Sequence, residues 1–305
     1  MGFAPEEYGE PVLKKFGINN AALLGQGAHS RVFSVDSNHV IRIFSPGTDW
    51  NSVIAVANFY NSLDISKASF GVPKIHDIGS SEGFFFSVET RLANNLEQSI
   101  MYVSGLAKET LLKNYIKSAG DIRNLKTEFE GFYGDLISAD PIRTNSWSEY
   151  LILRVEASLE LSRQHLRNDI EGFDELYSSW QSKVIELPNP YPDVVHGDYY
   201  PGNVIVNESN KVTEIIDFSM YTILGDWRID PVSAIIQAEL GGVSNIEAKN
   251  IEDLTQATFG IDETTINLYT IFYALMLSWR VHEDHERLYK NFCVKQIQSM
   301  RDFLS

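Results

Sequence analysis

His196-Gly197-Asp198-Tyr199-Tyr200-Pro201-Gly202-Asn203, followed fourteen positions after Asn203 by Asp217-Phe218-Ser219, is the stretch on which the reading of this chain turns. It supplies a base and two metal ligands at the spacing a phosphoryl-transfer site uses. Asp198 can accept a proton from a hydroxyl, while Asn203 and Asp217 can hold magnesium against nucleotide phosphates. The residues between them support the same reading. Val204-Ile205-Val206 and Val212 to Ile216 are strand-like runs joined by the polar turn Glu208-Ser209-Asn210-Lys211, a hairpin that would return Asp217 to the side of Asn203. Taken singly, Asp198 and Asn203 are turn formers around Pro201-Gly202 and Asp217 ends a buried strand. That accounts for each residue but not for their order.

The pattern resembles the catalytic loop and metal-binding turn of the protein-kinase-like fold in its small-molecule branch, the aminoglycoside phosphotransferase and choline kinase-like family. In that branch a glycine follows the histidine, as Gly197 does here, where protein kinases carry arginine. The resemblance implies an α+β, bilobal protein-kinase-like fold. A small antiparallel β-sheet lobe over residues 1–91 would bind the nucleotide, and a large, mainly helical lobe over 92–305 would carry catalysis and the substrate. It also implies Mg2+ as metal, ATP or GTP as co-substrate, and a small-molecule hydroxyl as acceptor.

Working back from the catalytic loop, Leu23 to Val35 reads as a strand, a glycine turn and a second strand, with a third strand at Val40-Ile41-Arg42-Ile43-Phe44. Gly25 and Gly27 let backbone approach phosphates, and exposed amides in such a turn attract anions. Ser30 stands where the kinase form of this loop has its third glycine. Alternation puts Arg42 on the face opposite Ile41 and Ile43, and the resemblance assigns it to the nucleotide phosphates, where protein kinases use lysine. Asn51 to Leu63 predicts a helix, with Asp49 near its start and Val53, Ile54, Ala57 and Tyr60 at helical spacing. The family places a glutamate on this helix to hold the phosphate-binding cation, yet nothing acidic lies between Asp49 and Asp64. Either the acid comes from elsewhere or Arg42 works without it. Gly71 to Ile75 and Gly83 to Leu92 resemble the last strands of the small lobe, so that backbone from Glu89 to Leu92 would present donors and acceptors to a purine edge. An ordinary carboxylate at a strand end is the other reading of Glu89.

From Ala93 to Leu187 the pattern reads as helical throughout, including Ser146 to His165. Arg42 and Asp198 lie 156 positions apart, which resembles the helical insertion that encloses the acceptor in small-molecule kinases. Asp121, Glu128, Glu130, Asp135 and Asp140 make this region acidic enough to receive an amine, although scattered carboxylates are also what a solvated face carries. Gly225-Asp226-Trp227-Arg228-Ile229-Asp230 resembles the segment that follows the metal aspartate in the family, with Asp230 bracing the catalytic loop and Asp226 open between support and substrate contact. Val232 to Ser305 reads as helical. His282-Glu283-Asp284-His285 lacks the spacing of a zinc hydrolase and reads as exposed charge.

The whole chain is consistent with this. Its 305 residues, 44% hydrophobic and 12% aromatic, suffice for two packed lobes. A single cysteine, Cys293, permits no intrachain disulfide and suits a reducing cytoplasm. Met1 to Glu10 has no apolar signal core, and Glu6 stands where N-myristoylation wants Ser or Thr. A net charge of −16, from 25 basic and 41 acidic residues, argues against nucleic acid or anionic membrane as partner and tolerates a cationic acceptor. It also serves solubility. The expected activity is transfer of a terminal phosphate to a small-molecule hydroxyl, with an aminoglycoside as the family-level acceptor. Choline, homoserine, a sugar or a macrolide would use the same machinery. A catalytically weak nucleotide-binding pseudokinase that regulates a partner is the alternative.

Overall fold

The computed structural model describes residues 9–19, 21–27, 30–92, 106–240, 245–282, 287–299 and 301–304. The N-terminal lobe begins with helix α1 (Glu10–Lys15) and five strands: β1 (Leu23–Gln26), β2 (Ser30–Ser34), β3 (His39–Phe44), β4 (Ile75–Ser81) and β5 (Phe84–Thr90). They form one antiparallel sheet in the order β1-β2-β3-β5-β4. Period-two alternation decides its two faces. Phe33, Ile41, Ile43, Phe84 and Phe86 share one face and bury against Val12 of α1, each worth about 1.5–3 kcal/mol of transfer free energy when fully covered. Ser30, Arg42, Ser87 and Glu89 fall on the other, because Val32 pairs with Arg42 and Arg42 with Ser87.

Helix α2 (Trp50–Ser62) follows β3, one residue earlier at each end than its sequence predicts, with the Asp49 carboxylate accepting from Asn51 N at 3.1 Å as N-cap. Its Phe59 enters a core with Tyr199, Val204, Ile215 and Phe218 of the second lobe, so α2 joins the sheet to the catalytic segment. The expected strand over Gly71 to Ile75 is displaced. Gly71 only bridges Glu214, and β4 starts at Ile75, beyond Pro73, which has no N–H to give a ladder. The His76 to Ser81 run lacks apolar alternation because β4 is an edge strand with both faces partly wet.

The region expected to be helical from Ala93 to Leu187 is interrupted. Residues 93–105 lie outside those described; α3 (Leu106–Asp121) ends before β6 (Tyr133–Asp135) and β7 (Arg143–Thr144), and α4 (Trp147–Asp169) and α5 (Phe173–Ile185) follow. Gly134 explains part of the interruption: at φ +143, with Ile142 O 2.1 Å from where a Cβ would stand, it admits no side chain and no helix. Strands β8 (Asp193–Val195), β9 (Val204–Val206), β10 (Val212–Ile215) and β11 (Ile223–Gly225) carry the site. β9 and β10 form the expected hairpin, while β7-β6-β11-β8 make a second sheet beneath it. Helices α6 (Ile229–Leu240), α7 (Asn245–Phe259), α8 (Glu263–Met276) and α9 (Arg287–Ser299) complete the lobe around Trp147, Trp180, Tyr269 and Phe272. Residues 283–286, which include Glu283, Asp284 and His285 of the run read as exposed charge, lie outside those described. No described helix is long and apolar enough to cross a membrane.

Candidate active site

Strand β8 ends at Val195, and the next eight residues are pinned from below. Asp230, wholly buried at the start of α6, accepts from the N–H groups of His196 at 2.8 Å and Gly197 at 2.9 Å. Burial raises its pKa to about 7, against the lowering by those two N–H groups. Tyr273 Oη donates to Gly197 O at 2.9 Å, and Thr222 Oγ1 to His196 O at 3.1 Å. Gly197 itself sits at φ +76, with Tyr221 O 1.9 Å from the position of a Cβ, so glycine is the one residue this turn accepts.

His196 is buried and neutral: burial lowers its pKa to about 4. Its ring lies 2.8 Å from Ile216 O through Nε2 and 3.2 Å from Asp198 N through Nδ1. A carbonyl can only accept and an amide N–H only donate, so the proton is on Nε2. The histidine therefore ties the loop to the backbone just before Asp217, and both ring nitrogens are spent on that task. Asn203 makes the second tie. Its Nδ2 donates to Asp198 O at 3.0 Å, and its own carbonyl accepts from Ile216 N at 2.9 Å. The loop and the turn at Asp217 are thus tied to each other through their backbones.

Asp198 is half-buried, with Gln237 Nε2 donating to Oδ1 at 3.0 Å. Burial and then the like charge of Asp217 push its pKa to about 7, against the lowering by Arg280. A carboxylate of that basicity suits acceptance of a hydroxyl proton. Asp217, in the left-handed region at φ +64, turns its side chain outward, 46% exposed. Together with Asn203 Oδ1 it offers an all-oxygen donor set, the chemistry a hard cation such as Mg2+ requires.

Arg42 reaches the same place from the sheet. Its Nη1 donates to Asp217 Oδ1 at 2.9 Å and to Ser30 Oγ at 3.2 Å, and its Nε to Glu89 Oε1 at 2.9 Å. Burial opposes the guanidinium charge, but Glu89 and Asp217 outweigh it and raise the pKa. Gly27 N closes the turn onto Ser30 O at 2.9 Å, and Gly25 and Gly27 have open space where side chains would be. Ala28 and His29 lie outside the described residues.

The sequence placed Glu89 at a hinge, and here the structure corrects it. Glu89 is inside β5, paired with Val40 on one side and Ile75 on the other, and its side chain turns to Arg42. Thr90 N and Arg91 N are likewise committed, to Lys74 O and Asn38 O. Leu92, half-buried, follows directly and borders the undescribed stretch 93–105. Asp226 also resolves: buried, it accepts from Arg228 Nε at 2.9 Å and from the Tyr269 hydroxyl, a supporting role. Sequence reasoning missed Gln237, Tyr273 and Thr222, which no local motif marks. Tyr60 was read only as part of a helix face, yet its hydroxyl accepts from Phe218 N at 3.3 Å.

Comparison with known proteins agrees with this geometry. A sequence search against curated proteins matched none. Among solved structures, an apo thermostable mutant of the aminoglycoside phosphotransferase APH(4)-Ia superimposes with a TM-score of 0.68 at 16% identity, covering 95% of this chain and 98% of its own. A streptomycin-ATP ternary complex of APH(2")-IIa gives 0.60 at 12% identity over 100% and 99%. A GDP and kanamycin complex of APH(2")-IIia gives 0.62 at 16% identity over 96% and 99%. These likenesses carry the kinase-like fold. The family model for the phosphotransferase enzyme family, APH, matches residues 20–248, most of the chain including both the sheet and the catalytic loop. The chain belongs to this phosphotransferase family of small-molecule kinases.

Proposed function

We propose that the protein transfers the terminal phosphate of a nucleoside triphosphate, ATP or GTP, to a hydroxyl of a small molecule in a magnesium-dependent reaction. The observation that carries this reading is that Arg42 pairs with Asp217, Asn203 ties the backbone of Asp198, and the Asp198 carboxyl lies within reach of the Asp217 charge. Asp198 takes the proton of the acceptor hydroxyl, whose oxygen forms a bond to the terminal phosphorus while the bond from phosphorus to the bridging oxygen breaks. The products are a phosphomonoester and the nucleoside diphosphate. Asn203 and Asp217 would hold Mg2+, which neutralises phosphate charge when bound. Arg42, Ser30 and the turn at Gly25 and Gly27 hold the phosphates, and the backbone of Leu92 contacts the purine. Positioning and charge neutralisation supply most of the rate in such sites.

The aminoglycosides named in the neighbours' complexes supply the family-level acceptor, and a cationic one suits the net charge of −16. Choline, homoserine, sugars and macrolides are the other acceptors to test. The chemistry suits the cytoplasm, without nucleic acid or membrane as partner. The reading of a binding-only module rested on the glutamate missing from helix α2 and on Ser30 in place of a third glycine; Glu89, 2.9 Å from Arg42, answers the first and supports an enzyme. Nucleotide consumption measured with purified protein and Mg2+ across these acceptor classes tests the proposal. Acceptor-dependent turnover lost in Asp198→Asn supports it, and none across the whole panel sinks it.

A further inference from the structure

Register on the five-stranded sheet gathers Ser30, Arg42, Ser87 and Glu89 into one polar patch, three of them buried and Arg42 itself only 16% exposed at its side chain. Within it Glu89 Oε1 accepts from both Arg42 Nε at 2.9 Å and the Ser87 hydroxyl at 2.6 Å. A carboxylate 7% exposed has little water to compensate it, so its place in the fold depends on these two donors. The guanidinium is a rigid plane: fixing Nε on one side fixes where Nη1 and Nη2 point on the other. Nη1 is aimed at Ser30 and Asp217, the direction of the phosphate site.

From this geometry we infer that Glu89 is the positioning residue of the phosphate-binding cation: β5 supplies the carboxylate that helix α2 lacks, and orients Arg42 independently of that helix. The inference rests on the nucleotide-site reading above and adds a consequence to it. An acid carried on a helix moves with the helix, whereas β3 and β5 are neighbouring strands in register from His39–Thr90 to Ile43–Phe86. Arg42 and Glu89 are therefore held by one hydrogen-bonded ladder. Helix α2 engages a different part of the site, through Tyr60 and the N–H of Phe218 in the metal turn. A displacement of α2 would reach Arg42 through Tyr60 and the Asp217 turn, while the Glu89 contact, made within the sheet, would remain.

The test is calorimetric titration of ATP and of adenosine into the full chain, for the wild type, Glu89→Gln, Arg42→Ala and the double variant. Glu89→Gln should weaken ATP by about 10-fold, the scale of a lost charge-assisted hydrogen bond, with adenosine changed less than about 2-fold, a difference within the scatter of such effects. In the Arg42→Ala background the same substitution should have no further effect on ATP, since a residue acting through Arg42 has nothing left to act on. Equal losses for ATP and adenosine, or an undiminished loss without Arg42, overturn the inference. Should Glu89→Gln fail to fold, Ser87→Ala removes only the second donor to Oε1 and reads the same coupling at about 2- to 5-fold. No selectivity against ATP in that variant overturns the inference equally. Wild-type protein that binds neither ligand overturns the nucleotide site itself, and with it the role of Glu89.

Discussion

Arg42 Nη1 and Asp217 Oδ1 lie 2.9 Å apart, an ion pair that joins the N-terminal sheet to the turn proposed to hold the metal, between the cation proposed for the phosphates and the carboxylate proposed for Mg2+. Each group is the other's substitute ligand. A cation taken up through Asp217 Oδ1 would compete with Arg42, and a phosphate at Arg42 would compete with Asp217, so the two binding events should favour each other. Arg42→Ala should accordingly act with opposite signs. Mn2+ or Mg2+ affinity of the nucleotide-free protein should rise by about 2- to 5-fold, the scale of a half-exposed pair. ATP affinity should fall by about 10-fold or more, with adenosine little changed. Calorimetry with each ligand alone checks both. A loss of metal affinity in this variant would mean that the pair does not occlude the ligand.

The converse variant separates the two roles of the pair. Asp217→Ala removes a charged oxygen ligand and should abolish the metal dependence of ATP binding while leaving adenosine affinity within about 2-fold. Titration of ATP with and without Mg2+ reads this directly. An unchanged dependence would move the metal elsewhere.

Asp198 gives a pH dependence with a definite sign. Burial first and Asp217 second raise its pKa to about 7, so kcat/KM, which reports the free enzyme, should fall as pH drops through about 7. Charge compensation of Asp217 in the ternary complex removes the second cause, so the acid limb of kcat should lie at lower pH than that of kcat/KM. Stability runs the other way. Between the ordinary value of 3.8 and about 7 the folded state binds more protons at this site than the unfolded one, so this group's contribution falls as pH rises across that window. Asp198→Asn should lower turnover by about two orders of magnitude or more. It should also raise Tm at pH 8, at about 2–4 °C per kcal/mol recovered, with no gain near pH 4. Thermal melts at the two pH values decide it.

Much of this site was legible in the chain because its residues are close in sequence. Asp198, Asn203 and Asp217 are joined by a hairpin whose strands and turn announce themselves, and Asp230 by a segment that resembles a known one. Arg42 could be placed on a strand and on a face by alternation alone. Glu89 could not be paired with it, since cross-strand register depends on where β5 begins, and the sequence marks only an apolar run from Phe84 to Phe86. The same limit explains the lost strands β6 and β7, two short pairings fixed by Gly134 and by contacts with β11. Gln237 lies 39 residues from Asp198 on a helix with no motif of its own. Asp226 was ambiguous because its partners, Arg228 and Tyr269, decide its role and only one of them is nearby.

Gly197 yields the last prediction. Its φ of +76 is a conformation other residues reach at a cost of about 1–2 kcal/mol. A Cβ there would lie 1.9 Å from Tyr221 O and 2.7 Å from the carbonyl carbon, both backbone atoms that cannot rotate aside. Gly197 N and O are also engaged, by Asp230 Oδ1 and the Tyr273 hydroxyl. Gly197→Ala therefore cannot be relieved without breaking one of these ties or shifting the 219–222 segment that follows the metal turn. The variant should lose about 3 kcal/mol or more of stability, the range of strained-backbone and overpacking changes combined, and its turnover should fall with it because Asp198 is the next residue. Asp230→Ala, which leaves the same loop's two N–H groups without their acceptor, should cost about 2–6 kcal/mol but place no atom against Tyr221. A Tm for Gly197→Ala within about 2 °C of the wild type, where each kcal/mol moves Tm by about 2–4 °C, would show that the turn has room the geometry denies. It would also remove the steric reason for glycine at this position.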